Sequence, residues 1–156
     1  GVRRTLVQLA ASLGGAVEDV MDEAIRELMD THAHGVMTKD AELWGSIWAE
    51  DAYWELPEYP DLGGHNGKAA IVAAWAESMK HYGLANCTKP MLYFMQPGSI
   101  EVDGDRATAV AYTIELYDDP ESGTRIHTTG RYNDELRRID GTWKFTRRAY
   151  RIVFAH

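Results

Sequence analysis

Five residues of this 156-residue chain have side chains suited to proton transfer: His32, Tyr93, Glu115, Tyr132 and Tyr150. An imidazole titrates near neutral pH, and burial among apolar groups raises the pKa of a carboxyl, so either group can serve as a general acid or base. A tyrosine hydroxyl can donate a hydrogen bond to a carbonyl oxygen. Together these residue types predict proton transfer on a small organic molecule held in one largely apolar pocket.

Each of these residues also has a structural alternative, which the sequence leaves open. His32 is either a pocket residue or a histidine hydrogen-bonded beneath the sheet. Glu115 is either a desolvated base or a strand-edge partner of Arg148, and Arg148 itself is expected to brace the sheet. The three tyrosines face inward if their strands alternate, and there they either polarise a substrate or pack with the hydroxyl at the rim. For Asp134, a salt bridge with Arg147 or Arg148 is expected.

The elements that must position these residues are helical in the first half of the chain. Apolar residues recur at helical spacing from Val17 to about Val36, which predicts a helix with one buried face. Asp40 is a suitable N-cap for a second, short helix. The predicted buried residues of that helix are Leu43, Trp44, Ile47 and Trp48. A strand over residues 52–56 and a third helix from Gly67 to about Tyr82 complete this half.

The second half of the chain is predicted to be sheet. The predicted strands cover residues 91–102, 106–117, 124–139 and 142–154. Asp103-Gly104 and Asp140-Gly141 are strong hairpin signals between these strands, and Pro97-Gly98 predicts a bulge. Helices followed by an antiparallel meander predict an α+β architecture.

The first 16 residues are predicted to form an N-terminal helical extension, followed by one domain over residues 17–156. Apolar residues between Leu6 and Leu13 fall at helical spacing and predict an amphipathic helix that ends at Gly14-Gly15. The basic start of this segment also resembles a secretory signal, but Gln8 and Ser12 interrupt its apolar run.

Composition and charge disfavour several classes of partner. The 16 basic and 24 acidic residues give a formal charge of −8, which disfavours nucleic acid and anionic membranes. No apolar run approaches the roughly 20 residues needed to span a bilayer. The single cysteine, Cys87, excludes an internal disulfide and a cysteine-based zinc site, and it fits a cytoplasmic location. No metal site is expected, because His32 and His34 project about 200° apart on a helix.

Three stretches of sequence carry a family resemblance: DAELWGSIWAEDAYW at residues 40–54, GHNGKAAI at residues 64–71 and GRYNDELRRIDGTWKFTRR at residues 130–148. Together they resemble the SnoaL-like branch of the nuclear transport factor 2-like superfamily. The resemblance implies a conical half-barrel, in which three helices cover a strongly curved antiparallel sheet and leave a deep pocket. Members of this group include polyketide cyclases, scytalone and bile acid dehydratases, hexachlorocyclohexane dehydrochlorinase and ketosteroid isomerase, which need no cofactor.

The resemblance has one informative departure, at the residues that perform the chemistry. The dehydrochlorinase and the bile acid dehydratase use an Asp near the end of the first helix and a His on the strand after the third helix. Alignment on Gly35 and Asp40 places Met37 at the Asp position. Counting back from the hairpin turn at residue 103 places Leu92 or Tyr93 at the His position. Both members of the Asp-His pair are therefore missing.

Two functions remain open at this point. The first is a cofactor-independent lyase or isomerase, dehydratase- or cyclase-like, acting on a small hydrophobic substrate that is aromatic or polycyclic. Its expected catalytic residues are His32, Glu115, Tyr93 and Tyr132. Its expected substrate-binding residues are Trp54, Leu56, Trp75, Met79, Met37, Thr113, Thr128, Arg148, Tyr150 and Ile152. The second function is small-molecule binding without catalysis. In either case a homodimer, or alternatively a trimer, is expected to cover the outer sheet face.

Overall fold

The computed structural model describes residues 6–59, 64–81, 91–119 and 121–155, with side chains from residue 19 onward. Cys87 and the side chains of the predicted N-terminal amphipathic face lie outside these described residues. The helices are α1 (Leu6–Thr38), α2 (Ala41–Gly45) and α3 (Lys68–His81). The strands are β1 (Trp48–Glu55), β2 (His65–Asn66), β3 (Leu92–Asp103), β4 (Arg106–Asp118), β5 (Arg125–Ile139) and β6 (Thr142–Ala155).

The first helix is longer than predicted. It runs without interruption from Leu6 to Thr38, so the predicted end at Gly14-Gly15 is wrong. A glycine inside a helix costs only about 1 kcal/mol relative to alanine, and this cost weakens a helix without requiring that it stop. The helix that follows begins as predicted, because Asp40 Oδ1 accepts a hydrogen bond from the Leu43 amide at 3.0 Å.

The first strand begins earlier than predicted. It covers Trp48–Glu55, whereas the apolar spacing assigned Ile47 and Trp48 to the preceding helix. Backbone pairing explains the difference, since the Phe145 amide donates to the Ile47 carbonyl at 2.9 Å and Trp48 is in register with Phe145 on β6. A partner about a hundred residues away in the chain thus extends β1 at its N-terminal end.

The six strands form one open, curved sheet in the order β2-β1-β6-β5-β4-β3. Strands β3 to β6 pair as the predicted antiparallel meander. Strand β1, however, pairs in parallel with β6, so the sheet is mixed rather than wholly antiparallel. The register skips Gly98 on β3, where a bulge was predicted, and Thr146 and Val153 on β6, and bulges of this kind bend and twist a strand.

Helices α1 and α3 pack on the sheet, with α2 between them, and the core lies underneath. A close approach at Gly35 fixes how α1 meets α2. A Cβ atom on Gly35 would lie 2.9 Å from Trp44 Cβ and 3.0 Å from the Trp44 backbone, so only glycine leaves room there. This contact seats Trp44 in the interior, where its side chain is fully buried. The predicted half-barrel of three helices on a curved sheet is confirmed.

The outer face of the sheet exposes large apolar side chains, which we call the outer-face patch. Its members are Leu92, Phe94, Tyr112, Ile114, Val153 and Phe154. Strand register places Phe94 beside Ile114, and Thr129 of β5 lies between Ile114 and Phe154, so the patch residues lie on β3, β4 and β6. No helix in the described part of the chain combines the length and the apolar character needed to cross a membrane.

Candidate functional site

A cavity of about 130 Å³ lies between the helices and the inner face of the sheet. Its lining residues come from all three helices and from five of the strands or their flanking residues. They are His32, Val36, Trp44, Trp54, Leu56, Tyr59, Trp75, Ser78, Met79, Met91, Tyr93, Glu115, Tyr117, Tyr132 and Tyr150. Most of these side chains are aromatic or aliphatic, and the only carboxyl and imidazole groups among them belong to Glu115 and His32.

The structure brings together nine of the residues that were predicted for the site. The predicted catalytic residues in the lining are His32, Tyr93, Glu115 and Tyr132. The predicted substrate-binding residues in the lining are Trp54, Leu56, Trp75, Met79 and Tyr150. Met37, Thr113, Thr128, Arg148 and Ile152 are not among the lining residues. Met37 and Ile152 pack partly buried against the core, while the other three are buried within the sheet.

Six lining residues were not predicted, and local spacing could have found two of them. Val36 follows His32 by one helical turn on α1, and Tyr117 follows Glu115 by two residues on the same face of β4. Trp44 was predicted as ordinary core, and it also forms cavity wall, where its ring stacks on Trp75 at 4.7 Å. Tertiary packing alone brings in the remaining three, which are Tyr59, Ser78 and Met91.

Among the described residues, Glu115 is the one carboxyl in the lining. The side chain is partly buried and lines the cavity. Burial raises the pKa of Glu115 to about 7, although a long hydrogen bond of 3.5 Å from the Tyr150 hydroxyl opposes the rise. No lysine or arginine lines the cavity among the described residues, so the carboxylate has no cationic partner there.

Arg148 pairs with Asp134, which confirms the predicted salt bridge and rules out the strand-edge pairing of Arg148 with Glu115. Arg148 Nε and Nη2 donate to the two carboxylate oxygens of Asp134 at 2.8 and 3.0 Å, and both side chains are fully buried. The guanidinium also lies 3.9 Å from the Phe145 ring and 4.1 Å from the Tyr132 ring. A bidentate pair of this kind holds the guanidinium in one orientation.

His32 connects this ion pair to the cavity. Arg148 Nη1 donates to His32 Nδ1 at 2.9 Å, and His32 Nε2 lies 3.0 Å from the Tyr93 hydroxyl. Arginine can only donate, so Nδ1 must carry the lone pair and the single proton of a neutral imidazole lies on Nε2. Burial, together with the neighbouring Arg148 charge, holds the pKa of His32 well below its usual range. The imidazole is therefore neutral, with both ring nitrogens engaged.

Three of the five tyrosines that line the cavity, Tyr93, Tyr132 and Tyr150, remain protonated phenols. Burial raises the pKa of Tyr132 to about 12 and moves the pKa values of Tyr93 and Tyr150 upward as well. Gly130 leaves the space that the Tyr150 ring occupies, since a Cβ atom at this position would overlap the ring. The Gly130 amide also donates to Thr113 Oγ1 at 3.1 Å, which places Thr113 beneath the tyrosine rather than in the cavity wall.

No group of three histidine, cysteine or acidic side chains within the described ranges could hold a metal ion. The described polar side chains that line the cavity carry one carboxyl group, hydroxyl groups and one imidazole whose nitrogens are both hydrogen-bonded. This set offers hydrogen bonds and one proton acceptor to a bound molecule.

Comparison with known proteins agrees with this architecture. The sequence profile of the SnoaL-like domain matches residues 20–149. The chain belongs to the SnoaL-like domain family. This assignment confirms the resemblance seen in the sequence, and no curated protein sequence matches the chain.

Solved structures with the same fold extend over nearly the whole SnoaL-like chain. A protein of Novosphingobium aromaticivorans, provisionally described as a scytalone dehydratase, has a TM-score of 0.76 at 18% identity, covering 91% of this chain and 90% of that one. The type 3 hexachlorocyclohexane dehydrochlorinase of Novosphingobium barchaimii has a TM-score of 0.72 at 21% identity, with 89% and 90% covered. A nuclear transport factor 2-like protein with a cystatin-like fold, also from N. aromaticivorans, reaches 27% identity at a TM-score of 0.71, with 97% and 92% covered.

Proposed function

We propose that this SnoaL-like protein binds a small, largely hydrophobic molecule and catalyses a cofactor-independent lyase or isomerase reaction by proton transfer at Glu115. The observation that carries the proposal is one carboxyl, without a cationic partner in the described chain, on the wall of a cavity built otherwise mostly from aromatic and aliphatic side chains. The structurally similar dehydrochlorinase, and the protein described provisionally as a dehydratase, supply a chemical precedent for such a reaction within this fold.

The environment of Glu115 suits a general base near neutral pH. A base is most effective when its pKa lies close to the working pH, and burial raises the pKa of Glu115 to about 7. In the proposed reaction the carboxylate removes a proton from a carbon atom of the substrate. The electron pair of the broken C–H bond then forms a double bond, either with expulsion of a leaving group or with a shift of an existing double bond. The protonated carboxyl returns its proton to the leaving group or to the product.

The size and charge of the cavity limit the substrate. Its volume of about 130 Å³ is close to the ~150 Å³ of an engineered cavity that binds benzene. A molecule with a single ring therefore fits better than the polycyclic substrate that the sequence left open. The carboxylate of Glu115 disfavours organic anions, because no described lining residue would offset the charge repulsion.

His32 was expected to act as a general acid or base, and the role proposed for it here is different. Its Nδ1 lone pair is occupied by Arg148 and its Nε2 proton is directed at Tyr93, so the imidazole has no free lone pair for a substrate proton. Glu115 is consequently the only base in the proposal, and His32 acts through its neighbours.

The proposal can be tested with a panel of neutral single-ring ketones, β-hydroxy ketones and alkyl chlorides, followed by mass spectrometry for isomers or for loss of water or HCl. We expect at least one compound to react, with kcat/KM rising with pH through about 7 as Glu115 loses its proton. Glu115→Gln should lower kcat/KM by about 100-fold or more. Glu101→Gln is the matched control, because it removes an exposed carboxyl from the neighbouring strand β3. Equal turnover by wild type and Glu115→Gln would disprove the role of Glu115.

A non-catalytic binding protein is the second candidate. It is favoured by the absence of the family's Asp-His pair, since Met37 stands at the Asp position and does not line the cavity. Binding of single-ring compounds by calorimetry, without turnover of any member of the panel, would support this candidate over the enzyme.

We also propose that two copies of the chain associate through the outer-face patch. The patch presents Phe94, Ile114 and Phe154 in one row across the sheet, with exposed fractions of 55%, 46% and 45%. Several large apolar side chains exposed on one face of a sheet mark association sites in soluble proteins. A two-fold dimer would place the same patch of each copy against the other.

A further inference from the structure

We infer that Asp134, Arg148 and His32 act as positioning residues that aim the hydroxyl proton of Tyr93 into the cavity, where it binds an oxygen acceptor on the substrate. This inference rests on the proposed function and adds the chemical class of the substrate, a single-ring molecule with a carbonyl or similar oxygen. It also assigns to Tyr93 a catalytic role as hydrogen-bond donor. Four buried side chains in sequential contact support it.

The first two contacts determine which ring nitrogen of His32 carries the proton. Asp134 uses both carboxylate oxygens to hold Nε and Nη2 of Arg148 at 2.8 and 3.0 Å. With those groups occupied, Nη1 is the nitrogen that reaches His32 Nδ1, at 2.9 Å. Since a guanidinium never accepts, the contact allows His32 one neutral tautomer, with its proton on Nε2.

The third contact determines where the hydroxyl proton of Tyr93 points. The Nε2–H group of His32 donates to the Tyr93 hydroxyl oxygen at 3.0 Å. The hydroxyl oxygen is then the acceptor, so its own proton must point to a different partner. Among the described residues no second hydrogen bond of the Tyr93 hydroxyl is present. Tyr93 lines the cavity, which makes an oxygen atom of a bound molecule the partner that this geometry accommodates.

The same arrangement serves the proposed chemistry. When Glu115 removes a proton from the carbon next to a carbonyl, the C–H electron pair forms a carbon–carbon double bond and the carbonyl π pair moves to oxygen. A hydrogen bond from Tyr93 stabilises the negative charge on that oxygen. Because burial holds the pKa of Tyr93 well above its usual range, the phenol keeps its proton and acts as a donor. Glu115 then returns the proton, either to another carbon or to a departing group.

The protein without any ligand provides the first test. Nitrogen-15 NMR of the histidine side chains should show His32 with a protonated Nε2, an unprotonated Nδ1 and no titration between pH 5 and pH 8. A proton on Nδ1, or a cationic His32 within this range, would overturn the inference whether or not the protein is an enzyme.

A carbonyl probe provides the second test. Acetophenone should bind about tenfold more tightly than ethylbenzene, the effect of one buried hydrogen bond, and its ¹³C-labelled carbonyl should show a hydrogen-bonded infrared shift. Tyr93→Phe should abolish both the preference and the shift, and His32→Leu should weaken them. His32→Gln should restore them in part, because its amide offers an acceptor to Arg148 and a donor to Tyr93. Tyr112→Phe, which removes a tyrosine hydroxyl from the outer face, is the matched control.

These outcomes separate the inference from the proposed function. If acetophenone binds no better than ethylbenzene, or if the carbonyl shift survives Tyr93→Phe, the assignment of Tyr93 is wrong. Glu115→Gln should leave the carbonyl shift in place while it stops exchange of the acetophenone methyl protons for deuterium. A retained shift in the wild-type protein, with no exchange of acetophenone and no turnover of any member of the panel, would therefore refute the proposed enzymatic function and leave the hydrogen-bond role of Tyr93 supported.

Discussion

Replacement of Glu115 by glutamine should change how the stability of the fold depends on pH. In the folded protein the pKa of Glu115 is about 7, against 4.5 for a solvated glutamate. Between these two values the folded chain holds a proton that the unfolded chain has released. The unfolding free energy of the wild type therefore decreases as the pH rises from about 4.5 to about 7, and this contribution is constant above that range.

The size of the effect follows from the two pKa values. Each pKa unit corresponds to about 1.36 kcal/mol, so a rise from 4.5 to about 7 amounts to about 3 kcal/mol. Glutamine has a similar shape and cannot ionise. The stability of Glu115→Gln relative to the wild type should thus increase by about 3 kcal/mol between pH 4.5 and pH 8. For a chain of this size, such a change corresponds to about 6 to 12 °C in melting temperature.

Urea unfolding of both proteins at several pH values measures this difference directly. Other groups that titrate in this range, including His32 in the unfolded chain, are present in both proteins, and their contributions cancel in the comparison. Glu101→Gln, which lacks an exposed carboxyl on β3, should follow the wild-type curve. A constant difference between Glu115→Gln and the wild type across the whole range would show that Glu115 is solvated and would remove the basis for its role as a base.

Three further changes test the packing around the site and the outer face. Arg148→Met leaves the buried Asp134 carboxylate unpaired and should lower the unfolding free energy measured in urea by about 3–5 kcal/mol. The double variant Arg148→Met with Asp134→Leu should recover most of that stability. Equal losses in the single and the double variant would contradict this reasoning. Gly130→Ala should displace the Tyr150 ring and remove the hydrogen bond that its hydroxyl donates to Glu115. Because that hydrogen bond lowers the pKa of Glu115, the titration midpoint of the carboxyl should move upward. An unchanged midpoint would show that the ring stays in place. Phe94→Lys should convert a dimer to a monomer in sedimentation velocity, and a monomeric wild type would refute the association through the outer-face patch.

Local rules in the sequence were sufficient for most of the elements. Asp40 was identified as an N-cap because a short acceptor side chain satisfies a free helical amide, and the Asp40–Leu43 hydrogen bond has that form. Asp140-Gly141 was identified as a hairpin turn, and both residues have the positive φ angles, 51° and 80°, that a two-residue turn favours. Strand alternation likewise placed Tyr132 and Tyr150 on the inner face, where both are buried.

Pairings between distant segments were not accessible to these rules. The extension of β1 by pairing with β6 depends on a partner that no local pattern in β1 specifies. Thr113 and Thr128 were expected in the substrate site, yet both are buried and neither lines the cavity, because the packing of remote side chains decides which residues of a strand face reach it.

The sequence by itself determined that His32, Tyr93 and Glu115 are the side chains with useful chemistry, since residue type and position on a helix or strand face are local properties. Only the tertiary structure decided what each of them can do. His32 meets Tyr93 across 61 residues of chain and Arg148 across 116 residues, and these two contacts fix the tautomer of the imidazole. The physical reason is that the protonation and donor direction of a buried group depend on its neighbours in space, which folding selects from remote parts of the chain.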